Sequence, residues 1–198
     1  MMKEMNKIIF KIFLILFTFF SFNAESKILS IGNSDAKVTV KVFSSLTCPH
    51  CADFHISIYE NLKKDFIDKG LVKFEHHAFP LDLAALNAEI IVRCHVNNDE
   101  KFKLLKKIYE KQKDWAIGSD INKINASIKK IGAELNLEDK KMSKCLNDDK
   151  IQDDILNQRI DAQKKYKIES TPTIVINEKK YTGKNNYEQF KKAIEKKL

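Results

Sequence analysis

Apolar residues along this chain recur with a period of two in some stretches and near four in others, and the switches outline a fold. Val38-Thr39-Val40-Lys41-Val42-Phe43 is β-branched and alternating, which predicts a strand. A short loop, residues 44–47, leads to Cys48-Pro49-His50-Cys51, and there the pattern turns helical. Phe54, Ile58, Leu62 and Phe66 recur every four residues on one face, and Gly70 marks the stop. Residues 71–76 alternate again and end near Phe79-Pro80. From Asp82 to Tyr166 the period is helical throughout. It predicts helices over 83–96, 100–113, 120–132, 138–146 and 150–166, the third carrying a stripe of Ile121, Ile124, Ile128 and Ile131. Thr173-Ile174-Val175-Ile176 returns to a period of two, followed by a turn around 177–179, a second short strand at Lys180-Tyr181-Thr182, and Gly183. Asn186 is suited to cap a last helix over 187–197, with Phe190 and Ile194 inward. The order strand–helix–strand, helical block, strand–strand–helix predicts an α/β domain with a helical insertion. Neither an internal repeat nor a low-complexity linker interrupts it.

The first residues follow a different pattern. Lys3 and Lys7 make a basic start, opposed by Glu4, and residues 12–22 are an uninterrupted apolar run of 11. That length suits the core of a secretory signal and is well short of the roughly 20 residues a spanning helix needs. Ala24 and Ser26 satisfy a small-x-small rule, so residues 1–26 are expected to be a signal peptide, with retention as an uncleaved anchor the alternative. Either way the chain is expected to leave the cytosol for a compartment that permits disulfides.

Composition narrows the class further. The 198 residues are 43% hydrophobic and 31% charged, with 5 Gly and 3 Pro, which excludes collagen, low-complexity and polytopic membrane chains. Four Cys are too sparse to replace a core. The net charge is +8, but only Arg93 and Arg159 among the 35 basic residues are Arg. Readers of nucleic acid lean on Arg forks, whereas Lys spread along helices reads as solvated surface, so no nucleic-acid partner is expected.

Cys48-Pro49-His50-Cys51 sits where a strand gives way to a helix. Free backbone N–H groups and the positive end of the helix dipole favour an anion at Cys48, and the thiolate is both that anion and the nucleophile. Pro49 fits the first helical turn because its missing N–H has no partner to lose. The two-residue spacing lets Cys51 close a small disulfide ring onto Cys48. His50, when protonated or donating to sulfur, adds to the stabilisation of the thiolate, and a stabilised reduced form makes the disulfide a strong oxidant. The competing reading is a zinc site drawing on His50, His55, His76, His77 and His95. A closed site normally shows a second paired spacing, and Cys94 and Cys145 stand alone; His76 and His77, adjacent on a strand, face opposite sides. No metal and no other cofactor is expected.

These residues, with Leu46-Thr47 before the tetrapeptide and Ala52-Asp53-Phe54-His55 after it, resemble the DsbA-like thiol–disulfide oxidoreductases of the bacterial periplasm. So does Glu169-Ser170-Thr171-Pro172-Thr173, which leads into an apolar strand and Gly183, with Thr171 lying 120 residues after Cys51. The likeness covers nearly all of the chain beyond the signal. It implies a thioredoxin fold with an inserted all-helical subdomain, divided as 27–81 (first part), 82–166 (insertion) and 167–198 (second part). It also implies a cis Thr171-Pro172 bond beside the cysteines, where main-chain groups of Thr171 can pair with an extended substrate. Cys48, Cys51, His50 and Pro49 would be catalytic, and Thr171 and Pro172 would bind substrate.

The implied activity is donation of the Cys48–Cys51 disulfide to reduced or unfolded exported proteins, followed by reoxidation by a DsbB-like membrane oxidase. Two departures stand out. The family often carries Glu six residues before the first cysteine, where this chain has Val42, which leaves open the group that moves the proton of Cys51. Thr precedes the proline, a residue found in oxidases and isomerases alike. Isomerases of this kind oligomerise through an N-terminal extension, and residues 27–37 are too short for one, which favours a monomer. A branch of the family carries a second, structural disulfide in its helical domain, which implies the pairing Cys94–Cys145. Closing a loop of 51 residues stabilises by about 4 kcal/mol at most. An isomerase or reductase on the same scaffold is the second reading of function, and a metal-binding periplasmic protein is the third.

Overall fold

The computed structural model describes residues 28–198, so the expected signal peptide, residues 1–26, lies outside the described residues. Strands β1 (Leu29–Ile31), β2 (Val38–Ser44), β3 (Val72–Ala78), β4 (Thr173–Ile176) and β5 (Lys179–Lys180) form one sheet in the order β1-β3-β2-β4-β5. β2 and β3 run parallel, with Val42 across from His76; the other pairs are antiparallel. A parallel pair needs a crossover, which the helical stretch between β2 and β3 supplies. β1 was not foreseen. Leu-Ser-Ile is too short for a period to register, and only its pairing with β3 at the sheet edge makes it a strand.

The crossover is one continuous helix with two wide turns: α1 (Pro49–Phe54), a π-helical turn (His55–Tyr59), α2 (Glu60–Leu62) and a second π-helical turn (Lys63–Ile67). The wide turns explain the period of four. On a straight α-helix a spacing of four drifts by about 40° per step. A π turn is wider and takes up that drift. Phe54, Ile58, Leu62 and Phe66 therefore all stay inward.

Between β3 and β4 stand α3 (Leu83–Arg93), α4 (Asn98–Glu110), α5 (Gln112–Trp115), α6 (Ile121–Ala133), α7 (Asp139–Leu146) and α8 (Asp149–Tyr166); α9 (Tyr187–Glu195) follows β5. Side-chain caps set several starts. Asp82, Asn97, Asp120, Asp148 and Asn186 each accept a backbone N–H from the first turn they precede, a bond of about 1 kcal/mol. The single helix expected over 100–113 breaks at Lys111, whose φ of −98° and ψ of 13° are not helical. The expected strand at Lys180-Tyr181-Thr182 shortens to Lys179–Lys180, because Asn177 and Glu178 both take positive φ and close a tight hairpin turn one residue earlier than the sequence pattern suggests.

Alternation along the strands builds two layers. Val38, Val40, Val42, Val72, Phe74, Ile174 and Ile176 face the main core with α1, α4 and the buried residues of α6 and α9. Phe43 and Val175 face the other side, against Phe79, Ala162 and Ile168, where α8 covers the sheet. Ala78, Leu86, Ile90 and Ile155 join the end of β3 to α3 and α8. Among the described residues no helix is long and apolar enough to cross a membrane.

Candidate active site

Cys48 is the N-cap of α1, with an extended backbone (φ −80°, ψ 119°) and Pro49 in the first turn. The helix starts here because the N–H that Pro49 lacks would have no acceptor within the first turn; the Cys48 amide donates to the Ser45 carbonyl at 3.2 Å, and the Cys51 and Ala52 amides close the turn on the Cys48 carbonyl at 3.1 and 3.2 Å. Cys48 and Cys51 are both free thiols and both buried, Cys51 completely. Thr171-Pro172 is a cis bond, and the Cys48 sulfur lies 3.3 Å from the Thr171 carbonyl, to which it donates only while it carries its proton. The structure thus brings together Cys48, Pro49, Cys51, Thr171 and Pro172. His50 sits differently. Its ring is exposed and lies 3.9 Å from Asp53, while its backbone N–H serves the Cys48 sulfur.

The two sulfurs are driven apart in acidity. The Cys51 thiol, Thr171, and the backbone N–H groups of Cys51 and His50 bring Cys48 down to about 5 against the effect of burial. Burial, and then the neighbouring Cys48 sulfur, push Cys51 far above the ordinary thiol value. One sulfur is an anion at neutral pH and the other keeps its proton. The Thr171 hydroxyl is buried without a fixed partner, beside both sulfurs.

The loop that presents Cys48 is tied on several sides. The Thr47 hydroxyl donates to Asp82 at 2.7 Å, the same carboxylate that caps α3. The Leu81 amide donates to the Ser45 hydroxyl at 3.3 Å, and the Phe79 amide to the Ser44 carbonyl at 2.7 Å. From the helical block, the Gln112 side-chain amide donates to the carbonyls of Leu46 (2.7 Å) and Cys48 (3.0 Å).

Behind the cysteines lies a buried polar cluster. His76 on β3 bonds Glu89 on α3 at 3.0 Å, and Arg93 donates to the other carboxylate oxygen at 3.1 Å. Burial would raise the Glu89 carboxyl, but His76 and Arg93 hold it at about 2. His55 stacks on Tyr109 with ring centres 4.3 Å apart and meets His76 edge-on at 5.9 Å. Burial and then His76 keep His55 well below its ordinary value, so it stays neutral. His77 points to the opposite face, where it bonds Glu75 at 2.9 Å. Gln112, Glu89 and Asp82 were not singled out in the sequence, because polar residues within helical runs read as solvated surface.

Cys94, at the end of α3, and Cys145 in α7 form a disulfide with Cα atoms 6.0 Å apart. Among the described residues no cluster of three or more metal-ligating side chains occurs.

Known proteins resemble this arrangement. A family model described as thioredoxin matches residues 24–196. Disulfide bond formation protein D of Bacillus subtilis is 32% identical over 180 residues, spanning 85% of this chain and 76% of that protein. A Rickettsia bellii relative assigned to the protein-disulfide oxidoreductases is 30% identical over 158 residues, and there the match spans 60% of the relative's length. Among solved structures, Wolbachia pipientis alpha-DsbA1 superposes with a TM-score of 0.78 at 27% identity, covering 85% of this chain and 89% of the other. Oxidised BdbD of Bacillus subtilis gives 0.76 at 25% identity, covering 86% and 92%.

Proposed function

The chain belongs to the thioredoxin family, in the company of the disulfide bond formation D proteins, and from that premise we propose that it is a protein thiol–disulfide oxidoreductase which donates the Cys48–Cys51 disulfide to exported polypeptides. The observation that carries this reading is the split in acidity between two adjacent sulfurs at a helix start. A substrate thiolate attacks the Cys48 sulfur of the oxidised pair. The bond between Cys48 and Cys51 breaks, and its electron pair leaves on Cys51, which takes a proton because burial disfavours its anion. The substrate is now joined to Cys48. Its second thiolate attacks the substrate sulfur of that bridge and expels Cys48 as a thiolate. The substrate gains a disulfide, and the enzyme is left as a dithiol.

The lowered pKa makes Cys48 a good leaving group. A value of about 5, against an ordinary 9, stabilises the reduced form by on the order of 3 kcal/mol at pH 7. For a two-electron couple that is about 60 mV toward oxidising character. Cys51 adds nothing at this pH, since it is protonated in either case. Thr171 and Pro172 line a groove with His50, Thr173, Tyr181 and Asn185, which suits an extended peptide lying beside Cys48. His50 contributes its amide and, when protonated, a charge near the sulfur.

The partners are reduced or unfolded polypeptides and a DsbB-like membrane oxidase that regenerates the disulfide. The chain works outside the cytosol, as a monomer, with residues 1–26 as its export signal and residues 82–166 as an insertion in the thioredoxin unit. Disulfide isomerisation on the same scaffold is the second reading, and the Thr before the cis proline is compatible with either. Peptide-dithiol oxidation tests the first. Cys48→Ser is expected to abolish it and Cys51→Ser to accumulate mixed disulfides; full activity in Cys48→Ser overturns the assignment. The equilibrium constant against glutathione, together with refolding of scrambled ribonuclease, separates an oxidase from an isomerase.

A further inference from the structure

Gln112 is a polar side chain buried to 6% exposure, yet it opens the short helix α5 inside a run of charged residues, Glu110-Lys111-Gln112-Lys113-Asp114. Its burial is enforced from both sides in sequence. Tyr109 and Trp115 are sunk in the core, and the Trp115 indole donates to the Ile108 carbonyl at 2.8 Å. The backbone break at Lys111 turns the helix axis between them, and α5 then carries Gln112 onto the loop that ends β2. There its amide nitrogen is shared between two carbonyls, 2.7 Å from Leu46 and 3.0 Å from Cys48.

We propose that Gln112 is a positioning residue of the exchange reaction, a clamp from the helical block that holds the Cys48 peptide so that its sulfur stays at the start of α1. The proposal rests on the oxidoreductase reading above. Three donors meet on the Cys48 carbonyl: the Cys51 and Ala52 amides, which belong to the helix, and the Gln112 amide, which does not. The helical amides alone fix the start of α1. The third donor, bridging to Leu46, fixes how the preceding loop enters it. That determines the extended backbone of Cys48 and so the direction of its sulfur toward the helix amides and the Thr171 carbonyl. The amide dipole also offsets the negative end of a carbonyl that belongs to the same residue as the thiolate. Without the donor, two buried carbonyls lose a partner and the anion gains an unshielded neighbour, and both changes raise the cost of the thiolate.

The test is the acid constant of Cys48, read from thiolate absorbance against pH in the reduced protein, alongside unfolding by urea. Gln112→Leu removes the donor at nearly constant volume. Gln112→Asn keeps an amide but withdraws it by one methylene, and serves if the Leu variant does not fold. Trp115→Phe disturbs the same helix by deleting a bond remote from the loop. We expect Gln112→Leu and Gln112→Asn to weaken the acidity of Cys48 by roughly three- to tenfold, the worth of one such hydrogen bond, and so to make it a poorer leaving group from a mixed disulfide. We expect Trp115→Phe to lower the urea midpoint without moving the titration. An unchanged Cys48 titration in whichever Gln112 variant folds overturns the clamp, and so does a shift in Trp115→Phe as large as theirs. A wild-type Cys48 that titrates like free cysteine defeats the underlying functional reading instead, and the two failures are told apart on the same curve.

Discussion

The chain holds two cysteine pairs of opposite character, and their first members, Cys48 and Cys94, are nearly equally buried. Cys48 is 9% exposed and Cys94 is 5% exposed, so access to solvent does not separate them. What differs is the surroundings. Cys48 lies at the start of a helix, with Thr171 and backbone amides aimed at its sulfur, and its partner is three residues away on the same turn. Cys94 lies at the opposite end of a helix, beside the C-terminal carbonyls of α3, where the helix dipole disfavours an anion, and its partner is 51 residues away on another helix. A sulfur held as an anion makes a bridge that is easily handed on; a sulfur with no such donors makes a bridge that stays. The donors around the sulfur, the Cys51 thiol first and then Thr171 and the backbone amides of the helix start, distinguish a working disulfide from a fixed one more than burial does.

Glu89 tests how far the two regions depend on each other, because α3 carries it beneath the sheet one turn before Cys94. Glu89→Gln leaves His76 and Arg93 facing a neutral amide and is expected to cost about 3–5 kcal/mol, the usual loss when one member of a buried pair is removed. Urea unfolding measures it, and a loss below 1 kcal/mol would show that the pair adds little. Next in size is the second disulfide itself. Cys94→Ala with Cys145→Ala is expected to lower stability by about 4 kcal/mol at most, by the loop-entropy estimate. The Cys48–Cys51 equilibrium with glutathione is expected to stay unchanged in that variant. A shifted constant would break the comparison by giving the fixed pair a role in tuning the working one.

A smaller effect follows from pH. His55 is buried and neutral, with a folded-state value well below the 6.5 of an unfolded chain. Its stabilising contribution is complete above about 6.5 and is lost as pH falls through the folded-state value, because the unfolded chain takes up the proton first. His77 is depressed too, by burial first, and works in the same direction. Glu89 adds to the loss only in stronger acid, between the ordinary carboxylate range and about 2. Urea midpoints of the oxidised protein at pH 7 and pH 5, where Cys48 does not titrate, are expected to fall in that order, and equal midpoints would mean that neither His55 nor His77 is depressed in the fold. The smallest expected change is His50→Ala. It deletes an exposed ring and keeps the amide that serves the sulfur, so Cys48 is expected to rise by about one pKa unit or less. A larger rise would make the ring, rather than the Cys51 thiol and the backbone amides, the main support of the anion.

Much of the fold was legible in the chain because periods report burial. The alternation at Val38 to Phe43 and the recurrence at Phe54, Ile58, Leu62 and Phe66 each follow one buried face, and the caps Asn186 and Gly70 announce where a helix begins or stops. Cys48-Pro49-His50-Cys51 could be placed at a strand-to-helix junction for the same reason. Other features left no such trace. β1 is three residues long, and its existence depends on an edge offered by β3. The π turns differ from α turns only in winding, which a spacing of four hints at without specifying. Gln112, Glu89 and His76 are polar residues whose burial depends on which elements pack against them, and a single chain read in order does not show that.

The amino-acid order by itself determined the alternation of strand and helix, the position of a thiol pair ahead of a helix, and the presence of two further cysteines in the helical block. These are local properties, set by side-chain period and backbone chemistry within a few residues. Tertiary structure alone decided how far the acidities of Cys48 and Cys51 are driven apart, that the Thr171 carbonyl lies against Cys48 from 123 residues away, and that the polar side chains of Gln112 and Glu89 are buried. Acidity, pairing and burial are set by groups close in space, and nothing in their separation along the chain records that closeness.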